Sequence, residues 1–125
     1  MPNHLNSSQD LPIDFQEVLE RIGGDELFLE ELLKIYFEEF GEKHAQLERA
    51  IEQGNFTLIQ ELGHSLKGAS ANLSLAVLKK VCFSLEVSGR EKKIEQAQNA
   101  LAALEKEFQK LQDYLIASPL KKGPA

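Results

Sequence analysis

The stretch FTLIQELGHSLKGASANL, residues 56–73, decides how the rest of the chain is read. At about 100° per residue, Ile59, Leu62, Leu66, Ala69 and Leu73 fall in one stripe roughly 80° wide. That spacing predicts an amphipathic helix with a single buried face. His64 falls roughly 200° from Leu62, on the opposite side, with Gln60, Lys67, Gly68 and Ala71 as its helical neighbours. The helix therefore presents an outward imidazole flanked by a cation at i+3 and a glycine at i+4. Glycine in mid-helix costs about 1 kcal/mol relative to alanine, and it leaves open ground beside the ring for another surface to approach. Lys67 can neutralise an anion placed on the imidazole, and a neutral imidazole nitrogen is a nucleophile near pH 7. On these features alone two readings stand: a phosphorylatable histidine, or an ordinary surface histidine on a helical protein.

Helical periodicity extends outward in both directions, and no stretch alternates with the period of a strand. Upstream, Leu11-Pro12 suits a helix start, since proline is tolerated in the first turn. Ile13, Val18, Leu19 and Ile22 follow on one side, and Gly23-Gly24 ends this short helix. A second helix begins near Asp25, whose carboxylate suits a helix N-terminus. Its stripe runs through Leu29, Leu32, Leu33, Tyr36, Phe37, Phe40, Leu47, Ala50 and Ile51 to Gln53, with Gly54-Asn55 as stop and cap. Downstream, a fourth helix from about Ser74 to Val87 aligns Leu78, Val81, Cys82 and Leu85, and Ser88-Gly89 closes it. A fifth, from about Lys92 to Ala117, aligns Ile94, Ala97, Leu101, Leu104, Phe108, Leu111 and Leu115 before Ser118-Pro119. The expected fold is all-α: an antiparallel four-helix bundle with an additional short N-terminal helix over residues 11–117. Polar tails are expected at 1–10 and 118–125.

Composition narrows the function classes. The 125 residues suit one domain, and 42% hydrophobic residues are enough for a packed core. A net charge of −6 argues against a broad nucleic-acid binder. No apolar run is long enough to span a membrane, and the N-terminus lacks the pattern of a signal peptide, so a soluble cytoplasmic protein is expected; a monomer is the expected state. The charge is unevenly placed. From Asp10 to Glu42 stand 11 acidic and 2 basic residues, whereas from His64 to Lys93 stand 6 basic and 2 acidic. Thus the one basic segment of an acidic chain starts at His64. A single cysteine, Cys82, excludes an internal disulfide and a multi-cysteine metal site, and its place on an apolar stripe suits a buried thiol. No metal site is expected at His4, in the tail, or at His44, in the polar section Glu42–Gln46. There is no Walker-type loop, GxGxxG or Ser-His-Asp set to support an ATP-using enzyme.

The run His64-Ser65-Leu66-Lys67-Gly68-Ala69-Ser70-Ala71-Asn72-Leu73, followed by Leu78, Cys82 and Leu85-Glu86, resembles the signature of histidine-containing phosphotransfer (HPt) domains. The lead-in from Asp14-Phe15 to Ile22-Gly23-Gly24-Asp25 is similar too, so the resemblance covers about residues 11–117. It implies a phosphocarrier that passes a phosphoryl group between receiver-domain aspartates of hybrid histidine kinases and response regulators. It implies no ATP binding and no cofactor on this chain, the magnesium ion belonging to the partner receiver. By this resemblance His64 takes the phosphoryl group on Nε2, Lys67 offsets its charge, and Gly68 lets the receiver dock closely. Glu86, on the next helix, would accept from Nδ1–H and so fix the tautomer. Gln60, Ala71, Leu75 and Arg90 are expected to border the docking surface with Lys67 and Gly68. A solvated glutamate at Glu86, and charge compensation at a helix C-terminus by Arg90, stand as alternatives. The family usually has glycine ten residues after the histidine, where this chain has Ser74. Serine there is expected to cap the next helix instead. The alternative function is a non-catalytic bundle that binds a signalling partner, with Ser74 as its sequence hint.

Overall fold

The structure, a computed structural model, describes residues 11–117. Five helices follow in order: α1 (Phe15–Arg21), α2 (Glu26–Gln53), α3 (Phe56–Asn72), α4 (Ala76–Arg90) and α5 (Ile94–Ile116), with no strand among the described residues. The tails expected at 1–10 and 118–125, and His4 with them, lie outside the described residues.

Short polar side chains start three of the helices. Asp14, Asp25 and Asn55 each accept the backbone N–H three residues on, from Glu17, Phe28 and Leu58, at 3.0, 3.0 and 3.1 Å. The cap at Asp14 corrects the expected start at Leu11-Pro12. Pro12 lies ahead of the helix, and the buried Ile13 packs beneath it.

The ends of α1 to α4 share one device. At each, a residue with positive φ turns the chain so that two trailing N–H groups return to the last turn. Gly23 (φ 81°) and Gly54 (φ 68°) do this after α1 and α2. After α3 the residue is Ser74 (φ 59°): its N–H reaches Ala71 O at 3.1 Å, and Leu75 N–H reaches Ser70 O at 2.9 Å. Ser74 therefore adopts the left-handed backbone that glycine adopts most easily, and it is not the expected cap of α4. Leu75 occupies that cap position without a side-chain hydrogen bond. The Ser74 hydroxyl is buried and has no hydrogen-bond partner among the described residues. After α4 the same role falls to Lys92 (φ 57°), with Lys93 N–H on Ser88 O at 2.9 Å. So Ser88-Gly89 does not close α4, which runs on to Arg90.

Gly89 lies inside α4 for a packing reason. A Cβ built there would stand 2.5 Å from Gln60 N and 2.7 Å from Phe56 O of α3. Gly63 of α3 does the same in return, 2.6 Å from Glu86 N and 3.0 Å from Cys82 O. As the residue number rises on α3 it falls on α4, so the two helices are antiparallel and touch backbone to backbone. On the far side, α2 and α5 are also antiparallel, spaced by Phe37, Phe40 and Phe108. Phe40 and Phe108 stack with centroids 3.7 Å apart and planes 5° apart.

Leu29, Leu47, Ile59, Leu66, Leu85 and Leu104 are fully buried in one continuous core. Each such side chain stabilises the fold by about 1.5–3 kcal/mol. Within the core, Tyr36 and Ser70 share a hydrogen bond of 2.8 Å. Burial pushes the Cys82 thiol up to about 12, so it carries no thiolate at neutral pH. Helix α1 lies across the end of α3. Its Arg21 donates to the carbonyls of Asn72 (2.7 Å) and Ala71 (3.2 Å), and Asp14 N–H donates to Ser74 O at 3.1 Å. Among the described residues no helix is long and apolar enough to cross a membrane.

Candidate functional site

Gly63 builds the site from the backbone up. Because it has no side chain, the Glu86 backbone can lie against α3 next to the residue that carries the imidazole. The Glu86 side chain then turns along the helix seam and divides its two oxygens. Oε2 stands 3.1 Å from His64 Nδ1, and Oε1 stands 2.7 Å from Lys67 Nζ. His64 and Lys67, one turn apart on α3, are thus joined through one carboxylate of α4.

Burial grades across this trio. The Glu86 side chain is 11% exposed, Lys67 25% and His64 70%. The Lys67 ammonium first, and His64 second, hold the Glu86 carboxyl below the usual carboxylate range, against the opposing effect of burial. Glu86 is therefore ionised at neutral pH, and an ionised carboxylate can only accept. The hydrogen in the His64 contact must then sit on Nδ1. In the neutral ring this leaves a lone pair on Nε2, the nitrogen with no protein partner among the described residues. The arrangement makes one exposed, oriented nitrogen nucleophile with a cation beside it.

The other residues named from the sequence divide. Gly68 is exposed, and a Cβ built there meets nothing within 4 Å, so the ground beside His64 is open. Gln60 and Ala71 are half-buried on the same helix, and the Ala71 carbonyl is taken by Arg21. Arg90 is exposed in the last turn of α4. Leu75 does not belong to this surface. It is fully buried, because the left-handed turn at Ser74 swings the chain back into the core.

Two contributors were absent from the sequence reading. One is Gly63, whose role depends on which helix lies against it. The other is Phe83, an aromatic three residues before Glu86 and off the buried stripe of α4. Its ring centroid lies 5.1 Å from Lys67 Nζ, and the residue is 48% exposed.

His44 is less isolated than its polar setting suggested. Glu48 stands one turn on, and Glu105 reaches it from α5. His44 Nε2 is 2.7 Å from Glu105 Oε2, Nδ1 is 3.9 Å from Glu48 Oε1, and the ring stacks on Phe40. These are the donors that would hold a metal ion among the described residues. The two ring nitrogens face different carboxylates, which suits two polar contacts of one imidazole better than shared ligation of one ion.

Fold and site together define a helical bundle with an exposed histidine held by an acid of the adjacent helix. Residues 31–114 match the Hpt domain family, and the chain belongs to that family. It is similar to the multistep phosphorelay regulator 1 of Schizosaccharomyces pombe (strain 972 / ATCC 24843), 36% identical over 76 residues. That match covers 60% of this chain and 26% of the relative's length. No solved structure matches the chain. Members of the family act as phosphocarriers rather than ATP-binding kinases.

Proposed function

We propose that this protein relays a phosphoryl group on His64 Nε2 between receiver domains of a phosphorelay. The observation that carries the reading is the Glu86 contact to Nδ1, which leaves Nε2 as the nucleophile on an open helix face. In the accepting step, Nε2 attacks the phosphorus of a receiver aspartyl phosphate. The Nε2–P bond forms, the P–O bond breaks, and the aspartate leaves as a carboxylate. The hydrogen on Nδ1 stays in place, so the phosphorylated ring is cationic and faces the Glu86 carboxylate. Lys67, one turn along α3, offsets the phosphoryl charge. Transfer to a second receiver is the same step reversed.

Gly68 leaves room for the receiver, and Gln60, Ala71 and Arg90 border the approach. Magnesium would be supplied by the receiver's acidic pocket, and this chain would need no cofactor of its own. The regulator relative, whose name refers to a phosphorelay, supports receiver domains as the partners. A cytoplasmic monomer fits this role.

The test is transfer from a phosphorylated receiver, followed as acid-labile, base-stable label. Wild type is expected to take label and His64→Gln to take none. Equal labelling of His64→Gln would end the reading, and receiver binding without label would favour a non-catalytic module.

A further inference from the structure

Lys67 is held from two sides, and only one of them is an ion pair. Glu86 Oε1 lies 2.7 Å from its ammonium, and the Phe83 ring lies across from it, 5.1 Å to the centroid. Both partners come from α4. Residues 83 and 86 are one turn apart and share a side of that helix, the side facing Lys67. The core does not account for Phe83. The α4 positions that enter the core are Leu78, Cys82 and Leu85, while Phe83 is about half exposed at the edge of a shallow groove with Ser84, Val87 and Ala100.

The two holds differ in kind. The carboxylate holds the ammonium as a counter-charge, an ion pair for which a more highly charged group can compete. An aromatic face attracts the same charge without a directional bond. An ammonium over a ring can therefore shift from Glu86 toward a doubly charged group on His64 while the ring contact persists. A free lysine side chain would instead lose rotamer freedom each time it engaged that group.

We propose that Phe83 is a positioning residue for Lys67, its ring keeping the ammonium at the His64–Glu86 edge both before and after His64 is phosphorylated. This rests on the phosphotransfer reading above and adds a residue that acts on the rate through Lys67, without touching the receiver.

The experiment compares Phe83→Leu and Phe83→Tyr, each made in wild type and in Lys67→Gln, using phosphorylated receiver at varied concentration. Phe83→Leu is expected to lower the maximal transfer rate constant about threefold with the half-saturating receiver concentration unchanged, the order of effect of an exposed cation–π contact. Phe83→Tyr, which keeps the ring, is expected to restore the rate. In Lys67→Gln the leucine substitution should cause no further loss. A second readout needs no receiver: the Glu86 carboxyl, followed by NMR titration, is expected to shift upward both in Phe83→Leu and in Lys67→Gln. The proposal is overturned if Phe83→Leu matches wild type, if its loss persists without Lys67, or if the half-saturating receiver concentration alone changes. Failure of wild type to take label would sink the phosphotransfer reading instead. In that case the titration still decides whether Phe83 holds Lys67, and an unmoved Glu86 would overturn it.

Discussion

The bundle has two opposite seams built on different rules. Along α3–α4, Gly63 and Gly89 bring the backbones into contact, and the side chains that matter sit at the rim of that contact. Along α2–α5, the stacked rings of Phe40 and Phe108 hold the helices apart. Further along, that seam opens into a groove lined by Leu27, Leu33, Phe37, Leu115 and Ile116. Side-chain filling buries apolar area but tolerates small adjustments of helix position. Backbone contact does not, because neither partner has a flexible end that can move aside. The candidate site lies on the seam that cannot slide, where main-chain contact sets the separation of the helices that carry His64 and Glu86. The His44 pairing lies on the seam that can.

The hardest test of this contrast is Gly89→Ala. Its Cβ meets the backbone of Gln60 and Phe56, so a loss of about 3 kcal/mol is expected in urea unfolding. Gly68→Ala, facing open space, serves as the control and should not destabilise. A loss below about 1 kcal/mol for Gly89→Ala would mean that the α3–α4 seam adjusts after all. On the opposite seam, Phe40→Leu should lower stability by about 1.5 kcal/mol while leaving the His64 Nδ1 resonance unchanged. A shift at His64 would show that the two seams are coupled.

Smaller effects concern how the tight seam ends and what it carries. Ser74→Gly relieves a left-handed serine and removes a buried hydroxyl without a partner among the described residues, so thermal unfolding should report a gain of about 1 kcal/mol. The smallest effect is a pH dependence. Because the folded Glu86 carboxyl titrates below its ordinary value of 4.5, its contribution to stability is present at neutral pH. That contribution is lost as the pH falls through 4.5 toward the lower folded value. Melting wild type and Glu86→Gln side by side should show their difference shrinking on acidification. A difference that stays constant would mean that Lys67 and His64 do not hold this carboxylate.

Legibility in the sequence followed the same physical divide. Properties set by one helix were readable: the outward face of His64, the stripes of α2 and α5, and the caps at Asp25 and Asn55. Gly54 was readable as a stop because glycine there does what glycine usually does. Ser74 and Lys92 adopt the same backbone without that signature, so by sequence one reads as a cap and the other as the start of α5. Gly89 shows the reverse error, since a glycine that ends a helix and one that admits a neighbouring helix look alike. Leu75 was misplaced as a consequence of Ser74, because a left-handed turn reverses which side the next residue faces. Glu86 could be placed beside His64 only through a resemblance, and Glu105 beside His44 not at all, for both contacts are made between helices. Phe83 did leave a trace, as an aromatic standing off the stripe of α4.

The anchoring of α1 has a consequence for the order in which the protein assembles. With 7 residues, α1 is too short to hold helical structure alone. Its attachments through Arg21 and Asp14 reach the Ala71, Asn72 and Ser74 carbonyls, at least 50 positions along the chain. Those acceptors take their places only once α3 has ended and the chain has turned into α4. Helix α1 therefore docks late and is the first part to open. Its amides should exchange with solvent through brief local detachment, while those at the α3–α4 contact wait for the whole bundle to unfold.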